Sequence, residues 1–279
     1  MRAKSVVVMV LLTALSWGAT AQNADEPTWR AFLAWYKAAP AAANPLQGYD
    51  AALKAEGTAP PEVERRMALL ARMLTERNDW VELYFDKVFA TVPTGNPARD
   101  GFNAAPSAWL VEAVSGVRPG TALDAGMGQG RNAVYLATRG WRVTGFDISG
   151  EAVSAARDNA RRAGVELNAV KATYADFDFG DAQWDLIVLA FAWAPVTDSA
   201  FMARLARSLR PGGLVVFEHF TDDPAHPRPA PIHALAPGQL RTLFSAFTLL
   251  RYEEVEAVGD WGGPGAPLVR MVAKKGGRG

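Results

Sequence analysis

The sequence has no cysteine, only three histidines, and no excess of either charge among its 279 residues. Without cysteine the chain can form no disulfide, no thiolate metal site and no cysteine nucleophile. Its 29 basic residues balance 29 acidic ones, so charge gives no reason to expect a nucleic acid as partner. These absences leave chemistry that needs neither a thiol nor a charged polymer.

Long apolar runs are also missing, and the run nearest the start is too short to span a bilayer comfortably. It covers Val6–Leu15, follows the basic Arg2 and Lys4, and precedes an A-x-A cleavage pattern ending at Ala21. We therefore predict a signal peptide over residues 1–21, a periplasmic or secreted protein, and no stable membrane span after cleavage. If the signal is not used, the protein stays in the cytoplasm.

Residues 22–105 are predicted to form a helical N-terminal extension. Aromatic and apolar spacing indicates a short helix over 27–39, a second after Pro60 and Pro61, and a third from Asp79. Residues 38–57 between the first two are predicted to be loop. The aromatic face around Trp80 and Tyr84 has two interpretations, packing against the domain at 106–279 or a cap over its ligand site.

The stretch from Thr121 to Ser149 carries the clearest motif, TALDAGMGQGRNAVYLATRGWRVTGFDIS. Its pattern is that of a strand, a glycine loop, a helix and a second strand ending in Asp147, which together form a βαβ unit. Asp147 comes about 20 residues after the first loop glycine, the spacing of an acid that binds ribose hydroxyls. A nucleotide-like ligand is therefore predicted at the carboxyl end of these strands.

The glycine spacing selects the ligand class. Arg131 stands where the dinucleotide fingerprint G-x-G-x-x-G needs its third glycine, which disfavours a nicotinamide oxidoreductase. D-x-G-x-G-x-G with G-R-N after it instead resembles the class I (Rossmann-like) S-adenosylmethionine-dependent methyltransferases, especially the small-molecule branch of the tellurite-resistance and thiopurine types. The resemblance covers about 106–275 and implies methyl transfer from S-adenosylmethionine to a small-molecule acceptor. It implies these cofactor-binding residues: Asp124, Gly126, Gly128 and Gly130 around the methionine portion, Asp147 at the ribose, and Asp176 with Phe177 at the adenine.

Three further residues stand at predicted strand ends on the same edge. Trp193 follows the buried run WDLIVLAF, and Glu218 with His219 ends the next strand. Trp193 and Glu218 are substrate-site candidates. His219 is the candidate general base, because a neutral imidazole suits proton removal near pH 7. A structural hydrogen-bonding role is its alternative.

The predicted fold is α/β, a seven-stranded, mostly parallel Rossmann-like sheet with a terminal antiparallel hairpin and an N-terminal helical cap. No tight ligand motif surrounds the histidines, so no metal site is predicted. The lack of cysteine argues against arsenite-type methyl transfer. The predicted export conflicts with methyl transfer, because S-adenosylmethionine is made in the cytosol. A second function therefore stays open, that of an exported, non-catalytic module that binds S-adenosylhomocysteine or another nucleoside.

Overall fold

A computed structural model describes residues 25–39, 45–74, 77–91, 105–222, 234–259 and 265–276. The predicted signal peptide at 1–21 lies outside these ranges, as do His226 and His233. In the described ranges no helix is both long and apolar enough to cross a bilayer. Within the same ranges, no group of three or more acidic or histidine side chains is placed to hold a metal ion.

The chain divides into two compact units, the first ending at Trp80 and the second beginning at Val81. In the first unit α1 (25–38), α2 (Pro45–Ala55) and α3 (Pro60–Met73) precede α4 (Asn78–Thr91), whose first residues close the unit. Its core is aromatic, with Trp29, Phe32, Tyr36, Tyr49 and Trp80 all buried. These aromatic side chains bury a large apolar area, and a unit this small needs that area to be stable.

The prediction of loop over 38–57 was wrong, because α2 occupies most of that range. Tyr49 and Leu53 lie one helical turn apart and are both buried, and Tyr49 meets the edge of Phe32 at 5.3 Å between centroids. Burial of this stripe outweighs the weak local helical signal of an alanine- and proline-rich segment.

The second unit is built on one seven-stranded sheet in the order β3-β2-β1-β4-β5-β7-β6. Strands β1 to β5 pair in parallel, while β7 is antiparallel to both β5 and β6. The predicted sheet and terminal hairpin are confirmed. The strands are β1 (Thr121–Ala125), β2 (Arg142–Asp147), β3 (Asn168–Lys171), β4 (Trp184–Ala190), β5 (Leu209–Phe220), β6 (Thr248–Ala257) and β7 (Ala266–Lys274). The helices are α5 (Ala108–Ala113), α6 (Arg131–Thr138), α7 (Gly150–Ala163), α8 (Ser199–Ser208) and α9 (Gln239–Leu243).

Helices cover both faces of the sheet because its central strands are apolar on both sides. Ile187 and Leu189 of β4 pack with α8 and α9, while Leu186 and Val188 pack with α5 and α6. A strand buried on both faces reads as the continuous apolar run seen in the sequence. The strand order reverses direction between β1 and β4, the position at which open α/β sheets bind ligands beyond the carboxyl ends of their strands.

The residues Arg210-Pro211-Gly212-Gly213, which are typical of a turn, lie within β5. Leu209 pairs with Trp184 and Leu214 with Leu186, so β5 has extra residues between two successive pairs. Gly212 adopts φ 81° in this irregular stretch. The glycine therefore turns the chain inside a strand rather than ahead of it.

Candidate functional site

The loop after β1 bends tightly over the carboxyl ends of β1 and β2. Gly126 and Gly128 adopt φ 70° and 54°, which L side chains rarely take. A Cβ on Gly126 would lie 2.8 Å from Ala192 Cβ and 3.0 Å from the Tyr174 hydroxyl. A Cβ on Gly128 would lie 3.2 Å from Phe89. Both glycines therefore form a close cradle that any side chain would fill.

Gly130, unlike Gly126 and Gly128, lies at a contact between two helices. It begins α6 at φ 77°, and a Cβ there would lie 2.9 Å from Ala156 of α7. Its missing side chain lets the start of one helix approach the next helix. The structure thus places Gly130 at a helix contact, and its predicted part in cofactor binding stays a prediction.

Asp124 in β1 is buried beneath this loop at 2% exposure. Its carboxylate accepts a hydrogen bond from the Ala133 N–H of α6, but no donor among the described residues reaches its Oδ2. Burial raises the pKa of Asp124 to about 7, although the charge of Arg131 and the Ala133 N–H lower it. A buried acceptor atom without a donor costs free energy, so Asp124 fits a place where a ligand supplies the donor.

The side chain of Asp147, at the end of β2, accepts hydrogen bonds from backbone N–H groups of the glycine loop and of the segment before α7. Its Oδ2 accepts from Gly128 N at 2.8 Å and its Oδ1 from Ser149 N at 2.9 Å. Burial raises the pKa of Asp147 to about 6, against the lowering effect of these two N–H groups. The Ile148 N–H also hydrogen-bonds to this carboxylate, so three backbone donors use most of its four acceptor sites. The predicted role at the ribose stays a prediction.

Tyr174, which sequence reasoning missed, joins the two strand ends at the reversal of strand order. Its hydroxyl lies 3.1 Å from the Ala125 carbonyl oxygen and 2.9 Å from that of Ala192. Burial raises the pKa of Tyr174 well above its usual range, so the neutral phenol shares its proton between the two carbonyls. The sequence shows a tyrosine soon after β3, but its contacts with Ala125 and Ala192 depend on the fold and could not be predicted from that position alone.

Asp176 and Phe177, predicted at the adenine, follow Tyr174 in the turn after β3. Asp176 is exposed, and its Oδ2 accepts from the Thr173 hydroxyl at 2.7 Å. Phe177 stacks on Phe146 at 4.3 Å between centroids, and Phe146 belongs to the core face opposite Asp147. Phe177 therefore packs against the core and Asp176 lies exposed in the turn, and their role at the adenine stays a prediction.

Trp193 meets the part of α4 that belongs to the second unit. Its ring lies near-parallel to that of Tyr84 and edge-on to that of Phe85. The same helix is held to the sheet edge by polar contacts, since the Ser149 hydroxyl donates to Asp86 at 2.6 Å and Lys171 pairs with Glu82. Asp86 was not predicted, because nothing in its local sequence indicates that it reaches the start of α7.

Glu218, predicted as a substrate-site residue, is buried in β5 with protein partners. Arg270, directly opposite on β7, donates to its Oε1 at 2.8 Å, and the Ser107 hydroxyl donates to its Oε2 at 2.6 Å. Ser107 also donates its N–H to Asn132 of the G-R-N segment at 2.9 Å. The structure thus places Glu218 in a network that fixes the entry to α5.

His219, the candidate general base, is 5% exposed at the carboxyl end of β5. The rings of Phe191, Phe217 and Phe220 lie within 6.2 Å of its centroid. Its position on the correct sheet edge agrees with the prediction, while these aromatic surroundings resemble a core. The predicted role as base stays a prediction.

Comparison with known proteins agrees with this geometry. Residues 122–213 match the family model described as a methyltransferase domain. The chain is 32% identical over 176 residues to Hemagglutinin 1 of Eikenella corrodens, covering 59% of this chain and 57% of that protein. It is 34% identical over 107 residues to the demethylmenaquinone methyltransferase of Tropheryma whipplei (strain Twist), covering 38% and 42%.

A solved structure shares the fold. It is a 1,6-didemethyltoxoflavin-N1-methyltransferase of Burkholderia thailandensis, with bound 1,6-didemethyltoxoflavin and S-adenosylhomocysteine. The TM-score is 0.51 at 22% identity, with 78% of this chain and 91% of that chain covered. The chain spans about half the length of the curated relatives it matches.

Proposed function

We propose that this chain, whose residues 122–213 match a methyltransferase-domain model, is a class I methyltransferase that transfers a methyl group from S-adenosylmethionine to a small-molecule acceptor. The observation that carries the proposal is the buried Asp124 Oδ2, which has no donor in the described part of the chain, beneath a glycine loop with no room for side chains. A ligand with a positively charged amino group would supply the missing donor.

The residues at the edge of β1 and β2 fit the cofactor. Gly126 and Gly128 carry no side chain, so a ligand could approach their backbone closely, and Asp124 precedes Gly126 by two residues. Asp147 orders the loop through three backbone N–H groups and keeps acceptor capacity for about one further hydroxyl group. In this arrangement the glycines and Asp124 hold the methionine portion and Asp147 holds the ribose. The cofactor supplies an electrophilic methyl group when it is bound.

The chain's own contribution is positioning and exclusion of water, which can supply most of the rate of a methyl transfer. Tyr174 fixes the ends of β1 and β4 relative to each other. Phe89 of α4 lies next to Gly128 and would reduce the access of water there. His219 is the residue we assign to accept the acceptor's proton, since it lies buried at the end of β5.

We also propose that the reaction takes place outside the cytoplasm. The support is the sequence of residues 1–21 alone, with its basic start, short apolar run and A-x-A pattern. N-terminal sequencing of protein from fractionated cells should find Gln22 as the first residue. A cytoplasmic protein that begins at Met1 would contradict this.

Calorimetry with S-adenosylhomocysteine tests the proposed function. We expect micromolar affinity, about 8 kcal/mol, for the mature chain. Asp147→Ala should weaken binding roughly ten- to a hundredfold, because it removes charged acceptors and the anchor of Gly128 N. Asp158→Ala, which changes an exposed acid on α7, is the matched control and should bind like wild type.

Absence of heat and of a thermal shift in the wild-type protein would refute the methyltransferase proposal. If binding is present but labelled methyl groups reach no acceptor in a screen of thiols, amines, phenols and oxyanions, the alternative of a non-catalytic binding module gains support.

A further inference from the structure

A cavity of about 500 Å³ lies at the amino ends of the parallel strands, and we refer to it as the amino-edge cavity. Gly120 comes directly before β1, Trp141 comes directly before β2, and Asp185 is the second residue of β4, and all three line the cavity. The glycine loop follows the opposite end of the five-residue β1, so roughly 15 Å of strand separates the two places. The volume is within the range of small-molecule sites, although open α/β sheets usually bind ligands at the other edge.

Irregularities in two separate strands shape the amino-edge cavity. In β5, residues 210–213 stand opposite the single residue Asp185 of β4. In β6, Leu250 is an extra residue, because its two neighbours pair with consecutive residues of β7. Three residues of the first irregularity and Leu250 of the second line the same cavity, although β7 separates the two strands in the sheet. Such bulges re-aim side chains and are over-represented next to active sites.

The wall around Asp185 is closely packed and contains its own ion pair. Asp185 Oδ2 accepts from the Thr121 N–H at 2.8 Å and from the Arg210 guanidinium at 2.6 Å. A Cβ on Gly120 would collide with this carboxylate, and a Cβ on Gly213 would lie 3.0 Å from the Arg210 carbonyl oxygen. The acid of the wall therefore has its cation within the wall, and side chains at the two glycines would disturb the pair.

Two further cations line the amino-edge cavity and leave it with a surplus of positive charge. Arg118 and Lys274 are both exposed, and among the described residues neither side chain has a hydrogen bond or an ion pair. Asp185 is the only acid among the described lining residues, and its charge is balanced by Arg210. The donors of Arg118 and Lys274 are thus available to an anion, and hydrogen bonds between charged groups are the stronger ones.

The remaining lining of the cavity is mostly apolar. Its apolar residues are Val117, Pro119, Trp141, Pro211, Leu214 and Leu250. Leu250 is 52% exposed, and an apolar ligand that covered it would remove this surface from water. Free cations beside an apolar wall match a ligand that has both an anionic group and an apolar body.

We propose that the amino-edge cavity is a second ligand site, which binds a small organic carboxylate with an apolar body. The carboxylate contacts Arg118 and Lys274, and the apolar body lies against Leu214 and Leu250. The site is independent of the proposed methyl transfer, because its lining residues lie at the opposite edge of the sheet from the glycine loop. A neutral molecule of the same shape lacks the ionic contacts and binds more weakly.

Two probes that share one ring system test this, the anion 2-naphthoate and its neutral amide, 2-naphthamide. Their affinities are measured by calorimetry on the purified protein. We expect 2-naphthoate to bind about five- to twentyfold more tightly, since each exposed ion pair contributes up to about fivefold. In the double variant Arg118→Gln/Lys274→Gln the affinity for 2-naphthoate should fall to within about twofold of that for 2-naphthamide. Leu250→Asn should weaken both probes by the same factor, because it removes an apolar contact from each.

Arg162→Gln is the matched control, because Arg162 is an exposed arginine of the same unit on α7, outside the cavity. It should change neither affinity. Failure to bind 2-naphthoate, equal affinity for the two probes, or a preference that survives in the double variant would overturn the proposal. Displacement of 2-naphthoate by S-adenosylhomocysteine would overturn it too, because the probe would then occupy the edge of the glycine loop. A protein that binds 2-naphthoate as expected but does not bind S-adenosylhomocysteine would refute only the proposed function.

Discussion

Two buried acids at the same edge of the sheet have opposite surroundings. Glu218 in β5 has a guanidinium on one oxygen and a hydroxyl on the other, at 2.8 Å and 2.6 Å. Asp124 in β1, at 2% exposure, leaves its Oδ2 without a donor from the described part of the chain. The first acid completes an internal network, while the second keeps acceptor capacity that the fold itself does not use.

Hydrogen-bond pairing distinguishes a structural acid from a candidate binding acid, whereas burial does not, because both acids are buried. A buried carboxylate with full pairing stabilises one arrangement of the chain and has little left to offer a ligand. A buried carboxylate with an unused oxygen reduces stability, and a ligand that donates to it recovers that free energy. This contrast supports the proposal that the edge formed by β1 and β2 binds the ligand, and we refer to it as the proposed binding edge.

We expect the largest loss of stability when Glu218, the fully paired acid, loses one of its partners. Arg270→Met removes the guanidinium and leaves Glu218 buried with only Ser107 as donor. Loss of one partner from a buried ion pair typically costs about 3–5 kcal/mol. Urea denaturation should show a decrease of that size in the free energy of unfolding.

A second variant keeps this test specific. Glu218→Leu/Arg270→Met removes both charges and should recover a large part of the loss, because no unpaired charge remains. Arg207→Met, which breaks the exposed pair with Asp181, should cost about 1 kcal/mol or less. If Arg270→Met costs no more than Arg207→Met, Glu218 is not held in the way described.

The next effect concerns the unsatisfied acid and depends on pH. Burial raises the pKa of Asp124 from 3.8 to about 7, so the fold favours its protonated form. Stability is then fully present below the unfolded pKa and is lost as pH rises through the folded one. Asp124→Asn cannot ionise and should be spared this loss. Relative to wild type, the variant should gain roughly 2–4 kcal/mol between pH 4 and pH 8.

Thermal and urea unfolding across pH 4–8 measure this gain. Asp185→Asn is the control, because hydrogen bonds from Thr121 and the charge of Arg210 hold the pKa of Asp185 low despite its partial burial. Its difference from wild type should stay constant above pH 5. A flat difference for Asp124→Asn as well would mean that Asp124 is ionised and solvated in the folded protein.

The backbone geometry of the proposed binding edge was predictable from sequence, because the residues that determine it lie close together in the chain. Tight loops need glycine where φ is positive, and Gly126 and Gly128 stand within a few residues of the strands they connect. Asp147 follows its own strand directly, so strand and loop together place it at the edge. The same local logic holds at α7, whose start is capped by the adjacent Ser149 side chain.

The supporting network was not predictable, since its partners are far apart in sequence. Glu218 is 111 positions from Ser107 and 52 from Arg270. Their meeting depends on the register of β5 against β7, which no local pattern specifies. Helix α2 escaped prediction for a similar reason, because burial of Tyr49 and Leu53, rather than local preference, stabilises it.

The smallest expected effect sharpens the comparison at Tyr174, which connects β1 of the proposed binding edge to the segment after β4. Tyr174→Phe keeps the ring in the core and removes only the hydroxyl that lies between the Ala125 and Ala192 carbonyls. We expect a loss of about 1 kcal/mol in unfolding free energy, the usual contribution of one such hydrogen bond. The same hydroxyl lies next to Gly126 and links the chain on either side of it. Its loss should therefore also lower the affinity for S-adenosylhomocysteine, by up to about tenfold. Tyr252→Phe, which removes a hydroxyl bound to Glu254 on the terminal hairpin, provides the matched control and should leave that affinity unchanged. Equal affinity losses in the two variants would assign the effect to general loosening of the domain, whereas a loss confined to Tyr174→Phe would show that this hydroxyl positions the cofactor site.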